Sequence, residues 1–513
     1  MYTVRIHSQL EDRLDAEFYS PEALKTVQKI DGLGKTKRLG ALISDGYRVV
    51  YHGTDSINGI AEEKLLPFLS PTQIDDQGDI DFSSVDKLPL YYKDDYPKGL
   101  AVAGELLIEV KGNVSKVGVV PEEFPKYLMV SGSLYKASFN IETNSRYVLA
   151  FLKSKHGQVM KKRLTSNTII NYIAKDALYS IPLFVPESDV QKYIGDKVRQ
   201  AERLRAWALK LEQHAKNTFQ EDFQWDETVL SVKPFNRLRA DELENRLDLK
   251  YNSPQRLAAI RHAKSVDAKL QQLDELVEIS AMIGWKGLTT ENYTTSGPWL
   301  LRGVEFNSGV IRTEDLVCVE EHKYLEQPQI HLKEGDIALT KDGTIGKSIV
   351  IPRLPNRIAA GSTVARLRRK ATSDVDAYYL EFALAHEFVQ CQIASFATGV
   401  TQPHITQEWI ALLMIPRVRS ENDIAWSWQQ HHESLNFAKQ LTTASKLLVE
   451  ALIEGQLTEA ELITAEKALQ AGNDRLDRYI LNRLNTDGID GQGPALFDDM
   501  DELYRLIAQV EVD

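Results

Sequence analysis

Two stretches of the chain carry apolar residues at alternating spacings of three and four. This pattern keeps one helical face apolar, as in a heptad seam. We predict two helices of about 30 residues, each about 45–50 Å long at 1.5 Å per residue. The first seam contains Val190, Ile194, Ala201, Leu204, Ala208, Leu211 and Ala215, interrupted by Lys197, and the second contains Ile424, Trp428, Leu435, Ala438, Val449 and Leu452, with His431, Thr442 and Ser445 as weaker members. The helices pair with each other, or alternatively each covers its own domain.

Short β-branched runs precede each seam. LLIEV and KVGVVP lie before the first seam, and DIALT and SIVIP lie before the second. Glycine and proline bound these runs, which is typical of strands and turns. A helical stretch and a last apolar strand follow in each case. We therefore predict two α+β domains, each followed by a long helix.

The sequence contains an internal repeat. RLDAEFYSP at 13–21 returns as RLDLKYNSP at 246–254, 233 positions later. GELLIEVKGNVSKVGVVP at 104–121 returns as GDIALTKDGTIGKSIVIP at 335–352, 231 positions later. The second offset also superposes Tyr147 on Tyr378. A nearly constant register over this length indicates an internal duplication.

The composition restricts the class of protein. The chain has 513 residues, of which 43% are hydrophobic and 26% charged, values typical of a globular protein with several domains. Two cysteines are too few for a disulfide framework. The charged N-terminus does not resemble a signal peptide, and no apolar run is long enough to span a bilayer. We expect a cytoplasmic protein.

The net charge of −12 argues against nucleic acid as a partner, but the charge is unevenly distributed. Residues 93–175 and residues 331–370 each carry a net charge of +6, whereas residues 484–513 carry −7. Corresponding parts of both repeats are therefore basic. A basic region within each repeat indicates a phosphate-backbone partner, although a solvated basic face has the same composition.

Three loops in each repeat carry the candidate DNA-contacting side chains. KGNVSK and KDGTIGK are glycine-containing loops between strands, VSGS and AGST follow them, and TSNTIINYI and TGVTQPHI come later in each repeat. Amide, hydroxyl and cationic side chains of this kind contact phosphates and base edges. We predict DNA binding by Lys111, Asn113, Ser115, Lys116, Ser133, Lys162, Arg163, Asn167, Asn171, Lys341, Thr344, Lys347, Ser362, Thr363, Thr401, Gln402 and His404.

Enzymatic alternatives are weaker. GLGKT at 32–36 and GTIGKS at 343–348 lack the first glycine of a phosphate-binding P-loop. Glu109 and Lys111 have the spacing of a metal-dependent nuclease, with Asp94 and Asp95 upstream, but the second repeat has Thr340 and Asp342 at the matching positions. The histidines show no metal-ligand spacing. We predict no catalytic, metal-binding or cofactor-binding residue in this chain.

The ordered, duplicated motifs resemble the specificity (S) subunits of type I restriction–modification systems. The similarity rests on the RLDxxxYxP-like lead, the strand–GTIGK–strand element, TGVTQPHI before a last strand, and a long helix after each half, and covers roughly residues 10–455. The first repeat departs from the pattern, with Ser115 in place of Gly346 and SNTIINYI in place of the TQPHI form. The role of the long acidic extension is unassigned, and contact with a partner subunit is one hypothesis.

The resemblance implies a non-catalytic DNA-recognition subunit. It implies target-recognition domains at 1–186 and 241–418, joined by a linker at 224–240, and spacer helices at 187–223 and 419–455 that pair as an antiparallel coiled coil. The residues beyond them, 456–513, form a predicted helical acidic extension that is longer than the resemblance leads us to expect. The resemblance also implies a bipartite asymmetric site in double-stranded DNA and, as partners, two methyltransferase subunits and a restriction subunit. S-adenosylmethionine, ATP and magnesium would bind those partners. The alternatives are a recognition subunit of another methylation-linked phage-defence system, a metal-dependent nuclease or a protein-binding scaffold.

Overall fold

The computed structural model describes residues 13, 17–51, 55–166, 170–233, 238, 246–282, 290–307, 309–399 and 401–512. The chain forms two compact units. The first unit comprises Met1–Ala206 and Phe437–Asp513, and the second comprises Trp207–Asn436. Each unit therefore contains one repeat and parts of both long helices.

The first repeat contains eighteen described helices and strands. In chain order they are α1 (Pro21–Asp31), β1 (Thr36–Arg38), α2 (Leu39–Leu42), β2 (Ile43–Tyr47), β3 (Leu65–Leu69), β4 (Asp86–Pro89), α3 (Tyr92–Asp95), β5 (Leu106–Glu109), β6 (Lys111–Gly112), β7 (Val117–Val119), β8 (Met129–Val130), β9 (Leu134–Phe139), α4 (Ser145–Lys153), α5 (Lys155–Arg163), β10 (Asn171–Tyr172), α6 (Lys175–Tyr179), β11 (Pro182–Phe184) and α7 (Ser188–Phe223).

The second repeat follows the same order with additional short elements, and an isolated bridge between Asp342 and His404 replaces the paired strands β6 and β10. Its helices and strands are α8 (Pro254–Ser265), β12 (Lys269–Gln272), α9 (Leu273–Leu276), β13 (Val277–Ala281), β14 (Tyr293–Leu301), β15 (Phe306–Asn307), β16 (Val310–Ile311), β17 (Val317–Val319), α10 (Glu321–Leu325), β18 (His331–Leu332), β19 (Ile337–Thr340), β20 (Ser348–Val350), β21 (Ile358–Ala360), β22 (Val364–Arg369), α11 (Ala377–Ala385), α12 (Glu387–Phe396), α13 (Gln407–Ala411), β23 (Met414–Arg417) and α14 (Glu421–Glu454).

The two repeats share one sheet topology. The first has an antiparallel sheet in the order β2-β9-β5-β7, and the second has the matching order β13-β22-β19-β20. A second sheet contains one parallel pair, β3 with β8 in the order β4-β3-β8 of the first repeat and β14 with β21 in the order β17-β14-β21-β18 of the second. A separate antiparallel pair, β1 with β11 or β12 with β23, completes each domain. The predicted duplication and mixed α+β fold are confirmed.

The repeated segments 13–21 and 246–254 each end at the first residue of a helix, Pro21 of α1 and Pro254 of α8. The Ser20 side chain accepts a hydrogen bond from the Ala23 amide, and the Ser253 side chain accepts one from the Arg256 amide. Proline occupies the first turn in both helices, where its missing N–H costs nothing. The serine–proline step in both sequence motifs is therefore a helix start.

One sequence-based superposition is wrong by a residue. The Tyr147 hydroxyl donates to the Phe184 carbonyl at 2.7 Å, and the Tyr379 hydroxyl donates to the Pro416 carbonyl at 2.5 Å. Tyr147 therefore corresponds to Tyr379 and not to Tyr378. The offset has changed because the segment before α11 is longer than the one before α4, so an offset taken from the strands does not apply to the helices.

The two long helices pair in an antiparallel sense. In the first unit, Arg205 on α7 donates to the Thr442 hydroxyl on α14 at 3.0 Å. In the second unit, His431 on α14 donates to the Ala208 carbonyl on α7 at 2.8 Å. The first half of α7 therefore packs on the second half of α14 and the reverse holds, as predicted. The apolar residues of the first seam are buried, and α14 ends before Gly455, whose φ is 73°.

The acidic extension is a folded part of the first unit. It contains α15 (Glu459–Gln470), α16 (Arg475–Asn482), β24 (Leu484–Asn485), β25 (Gly488–Ile489) and α17 (Met500–Val512). Its buried residues, among them Leu462, Ile480 and Leu503, belong to the same core as Val190, Ile194 and the interior of the first repeat. The extension therefore adds to the core of the first unit and covers part of α7.

Candidate nucleic-acid interface

Three loops meet in the first repeat. We call 111–116 the glycine loop, 130–133 the hydroxyl loop and 165–173 the amide loop. The Val110 amide donates to the Ser133 carbonyl at 2.9 Å, and the Ile173 amide donates to the Val110 carbonyl at 2.9 Å. Strand β10 in the amide loop also pairs with β6 in the glycine loop. One residue at the end of a buried strand thus joins all three loops.

The second repeat builds the same arrangement. Its glycine loop is 341–347, its hydroxyl loop 360–363 and its amide loop 398–405. The Lys341 amide donates to the Thr363 carbonyl at 2.8 Å, and the Ile405 amide donates to the Lys341 carbonyl at 2.9 Å. We call this set of main-chain bonds the loop frame. The structure therefore brings together, within each unit, the three loops singled out in the sequence.

Different side chains close the two glycine loops in the same way. The Glu109 carboxylate accepts from the Lys116 amide at 3.1 Å and from the Asn113 amide at 3.0 Å. The Thr340 hydroxyl accepts from the Lys347 amide at 2.9 Å. Glu109 is buried and thus occupies the position of a loop-closing threonine. Among the described residues, no three histidine, cysteine, aspartate or glutamate side chains cluster as a metal site would require.

A glutamine supports each glycine loop from the helix behind it. Gln158 on α5 donates through Nε2 to the Ser115 carbonyl at 3.3 Å and to the Leu152 carbonyl at 2.7 Å. Gln390 on α12 donates through Nε2 to the Gly346 carbonyl at 2.9 Å and to the Leu384 carbonyl at 2.6 Å. Sequence analysis missed this pair, although two glutamines 232 positions apart in matching helices are a usable signal.

The loops differ in backbone conformation. Gly346 has a φ of 88°, and a Cβ at this position would lie 2.7 Å from the Gln390 Oε1 atom. In the first repeat, Ser115 is at this position, and the positive φ falls instead at Val114 (54°), while Gly112 (121°) and its counterpart Gly343 (74°) share a positive φ. The substitution of serine for glycine is accommodated because another residue takes the left-handed conformation.

Seven predicted residues on these loops have exposed side chains, namely Lys111, Asn113, Asn171, Thr344, Ser362, Thr401 and Gln402. Lys162 is also exposed and lies on α5. Ser115, Ser133 and Thr363 are half-buried, and Ser133 and Thr363 provide carbonyls to the loop frame. Asn167 lies outside the described residues. The exposed members are amides, hydroxyls and lysines, the groups that contact base edges and phosphates.

The second lysine of each glycine loop is already engaged. Lys116 forms an ion pair with Asp76. Lys347 donates through Nζ to the Gly303 carbonyl at 2.7 Å, and its burial lowers the pKa of its ammonium. These ammonium groups are thus directed to neighbouring turns, unlike the exposed Lys111.

A carboxylate holds two of the predicted residues in the second repeat. Asp342 lies between the Lys341 ammonium, 2.6 Å away, and the His404 ring, with which it also forms a hydrogen bond. Lys341 and His404 therefore present a locally compensated surface.

Arg163 contributes to packing. Its guanidinium lies 3.7 Å from the centre of the Phe18 ring, and its Nε donates to the Phe18 carbonyl at 2.8 Å. The Arg13 guanidinium lies 5.0 Å from the centre of the same ring. These contacts fix the lead segment against the C-terminus of α5.

A buried lysine lies beneath the first glycine loop. Lys161 is 1% exposed, and its Nζ donates to the Lys116 carbonyl at 3.3 Å. Burial, together with the charge of Lys153, lowers the pKa of Lys161 to about 7, against the opposing effect of Glu109. The charge beneath this loop therefore changes near neutral pH.

Arg48 is a further residue of the first site that the sequence did not reveal. It follows β2, and its Nε donates to the Gly132 carbonyl at 2.6 Å. Its Nη1 donates to the Tyr172 hydroxyl at 3.1 Å, and its guanidinium lies 5.1 Å from the centre of that ring. Arg48 thus connects the hydroxyl loop with the amide loop. A lone arginine after a strand carries no local sequence signal.

The two P-loop-like sequences lie in other structures. Gly32 ends α1, and Lys35 in GLGKT is ion-paired with Glu187 and Glu459. GTIGKS belongs to the second glycine loop and leads into strand β20. Neither sequence leads from a strand into the helix N-terminus that a P-loop requires.

Comparison with known proteins gives matches among solved structures. No family model matches the sequence, and no curated protein matches it. The S subunit of a type I restriction–modification system from M. genitalium is 11% identical, with 83% of this chain and 96% of that chain covered and a TM-score of 0.40. The HsdS subunit from Thermoanaerobacter tengcongensis is 14% identical, with 82% and 97% covered and a TM-score of 0.27.

A third solved structure concerns complex assembly and conformational transition of the type I restriction–modification system. It is 13% identical, with 84% of this chain and 96% of that chain covered and a TM-score of 0.27. As the duplicated motifs predict, the chain matches type I specificity subunits over most of its length, at low sequence identity.

A search of the helices in the described part of the chain found none with the length and apolar character of a membrane span.

Proposed function

We propose that this chain is the DNA-recognition subunit of a type I restriction–modification complex. It reads a bipartite, asymmetric site in double-stranded DNA, one half with each repeat. It directs adenine methylation and restriction by partner subunits and carries no catalytic residue of its own. The predicted role of the long helices as a spacer between half-sites is part of this proposal.

The loop frame is the observation that carries the proposal. The same main-chain bonds join three loops in each repeat, while the exposed side chains on them differ between repeats. The first repeat presents Lys111, Asn113 and Asn171, and the second presents Thr344, Thr401 and Gln402. Amides read adenine, hydroxyls contact several bases, and lysines position the backbone. A conserved frame with different contacts suits two unlike half-sites.

The charge distribution supports the same proposal. Each repeat has a basic segment of net charge +6, although the chain as a whole carries −12. In the extension, Glu459, Glu466 and Asp477 pair with Lys35, Lys192 and Lys197 of the first unit, so part of its negative charge is compensated within the protein. Binding should therefore weaken steeply with salt, as expected when lysines replace counterions on phosphates.

The partners of this proposal supply the chemistry. Two methyltransferase subunits would bind S-adenosylmethionine and methylate adenine, and a restriction subunit would use ATP and magnesium. Glu109 closes a loop in this chain, and its burial argues against the nuclease alternative.

Genome-wide mapping of modified adenines tests the proposal. The full chain is expressed with the methyltransferase encoded beside it, and the modified sequence is read out. A split, asymmetric motif is expected. No modification, or a continuous or symmetric motif, would contradict the proposal. The same cells with the methyltransferase alone provide the control.

Cleavage assays address the nuclease alternative directly. The purified chain alone is incubated with DNA and magnesium or manganese. No cutting is expected. Robust cutting that Glu109→Gln abolishes would replace the recognition proposal with an enzymatic one.

A further inference from the structure

Arg48 is held in one orientation by two of the three loops of the first repeat. Its Nε bond to the Gly132 carbonyl and its Nη1 bond to the Tyr172 hydroxyl hold the guanidinium at two points. The ring of Tyr172 supports the same group from 5.1 Å. An arginine anchored in this way has already lost the rotamer freedom that a flexible side chain loses on binding.

The anchoring bonds leave donors unused. A guanidinium has five N–H groups, and the two bonds above engage one on Nε and one on Nη1. Nη2 donates to no residue that the structure describes, and Arg48 forms no ion pair with a described carboxylate. The second N–H of Nη1 and both N–H groups of Nη2 therefore remain for external acceptors.

The surroundings of Arg48 provide space and positive charge. Arg48 lines an open cavity of about 260 Å³ with Tyr47, Tyr172 and Lys175. Val110 and Ile173, the residues that join the loops, line the same cavity. Lys98 lies over the Tyr47 ring at 5.7 Å. The cavity thus opens among cationic and aromatic side chains, directly beside the exposed Lys111 and Asn171.

The second repeat has no counterpart of this arginine. In the first sheet, Tyr47 is opposite Lys136, and in the second sheet Ser280 is opposite Arg366, the residue that matches Lys136. Arg48 therefore corresponds to Ala281. Its partner Tyr172 corresponds to His404, since Tyr172 pairs with Lys111 and His404 pairs with Asp342, the residues that directly follow Val110 and Lys341. Among the described residues, these two positions therefore hold an arginine and a tyrosine in the first repeat and an alanine and a histidine in the second.

We propose that Arg48 reads a guanine in the half-site bound by the first repeat. Guanine presents two acceptors, O6 and N7, on its major-groove edge, and a guanidinium donates to both at once. Tyr172 and the Gly132 carbonyl are positioning groups that fix the arginine for this contact. The inference rests on the proposed function and deepens it, since it assigns one base pair to one residue.

Base-pair substitution across the mapped motif tests this inference. The complex of the chain with its methyltransferase is measured on duplexes in which each base pair of both halves is replaced in turn. With Arg48→Ala, discrimination at one G·C pair should fall roughly 10- to 100-fold, the range for a good bidentate contact. All positions of the other half should keep their discrimination. Arg38→Ala, an exposed arginine of the same repeat, is the matched control.

Two further variants separate base reading from folding. Arg48→Lys keeps the charge over Tyr172 but loses the two-pronged donor, so the same single base pair should lose discrimination while overall affinity is retained. Tyr172→Phe removes the anchoring hydroxyl and should affect that base pair more weakly. Thermal unfolding of each variant shows whether the fold is intact.

The possible outcomes are distinct. If the wild-type complex shows no sequence preference, the proposed function itself fails. If it reads a bipartite motif but Arg48→Lys leaves every position unchanged, or lowers both halves equally, only the assignment of Arg48 is overturned. A first half-site without a G·C pair would overturn it as well.

Discussion

The ammonium of Lys197 lies 2.6 Å from a carboxylate oxygen of Asp477, and each side chain is only 1% exposed. The Tyr193 hydroxyl donates to the same carboxylate at 2.5 Å, and the Tyr504 hydroxyl also donates to it. Lys197 is the polar residue that interrupts the first apolar seam. The interruption is therefore where the acidic extension is fixed to α7.

Breaking this buried pair should destabilise the first unit strongly. Asp477→Ala leaves the Lys197 ammonium buried without a partner, and we expect a loss of about 3–5 kcal/mol in the free energy of unfolding. Urea unfolding followed by circular dichroism measures it. The double variant Lys197→Met with Asp477→Leu should recover part of the loss, because both charges are gone while the Tyr193 and Tyr504 hydroxyls still lack this acceptor.

An exposed pair provides the control. Glu511→Ala removes a partner of Arg203 at 3.6 Å, and both side chains are exposed. We expect a change within about 0.5 kcal/mol. An Asp477→Ala variant as stable as Glu511→Ala would show that the buried pair is not needed to hold the extension.

The buried Lys161 should make stability depend on pH. Its pKa in the folded protein is about 7, against an ordinary value of 10.5, so between these values the unfolded chain binds more protons. The free energy of unfolding should therefore rise with pH in this window, by at most about 1.4 kcal/mol per unit. Below pH 7 this contribution no longer changes with pH.

Lys161→Met should remove that contribution. Urea unfolding of the wild type and the variant between about pH 6.5 and 9.5 gives the difference between their slopes, in which groups that do not interact with Lys161 cancel. The variant should gain most relative to wild type at the acidic end. A difference that is constant with pH would show that Lys161 does not titrate in this range.

The two supporting glutamines should act on separate half-sites. Gln158→Ala removes donors to the first glycine loop, and Gln390→Ala removes donors to the second. A lost hydrogen bond to a loop carbonyl costs about 1 kcal/mol, enough to loosen the loop without unfolding the domain. Base-pair substitution should show weaker discrimination in one half for each variant, and in opposite halves. Loss in both halves from either single variant would contradict repeat-by-repeat reading.

Lys111 and Lys347 should differ in their effect on salt dependence. The Lys111 side chain is exposed at the first glycine loop, so Lys111→Ala should reduce the slope of log affinity against log salt by about 1. Lys347 already donates to the Gly303 carbonyl, so Lys347→Ala should change the slope less and stability more. Fluorescence anisotropy over a salt series and thermal unfolding measure these two quantities. If both variants reduced the slope relative to the wild type by the same amount, both ammonium groups would be placed on phosphates.

The sequence predicted the architecture because the duplication is visible in it. Two copies of one motif, such as the serine–proline helix starts at Pro21 and Pro254, make the prediction of an element less ambiguous than a single copy does. The three loops were predicted for the same reason. Apolar periodicity predicted the long helices, since burial of one face determines their packing.

Features that depend on distant pairing were not predictable. In the sequence, Lys197 interrupts the apolar pattern of α7 without an evident reason, because its partner Asp477 lies 280 residues away. Arg48 lies at the site only because β2 ends beside the hydroxyl and amide loops. Tyr147 was superposed on the wrong tyrosine because one offset was applied throughout. Lys111 and Lys116 are equivalent candidates in the sequence, but in the structure Lys111 is exposed and Lys116 is half-buried.

The loop frame has a consequence for how such a protein changes its target. Its joining bonds run from main-chain amides to main-chain carbonyls, such as Ile173 to Val110 and Ile405 to Lys341. Exchanging an exposed side chain at a loop tip removes none of them. In the proposed function, single substitutions at these tips would therefore change the DNA preference of one repeat without disturbing its fold or the other repeat.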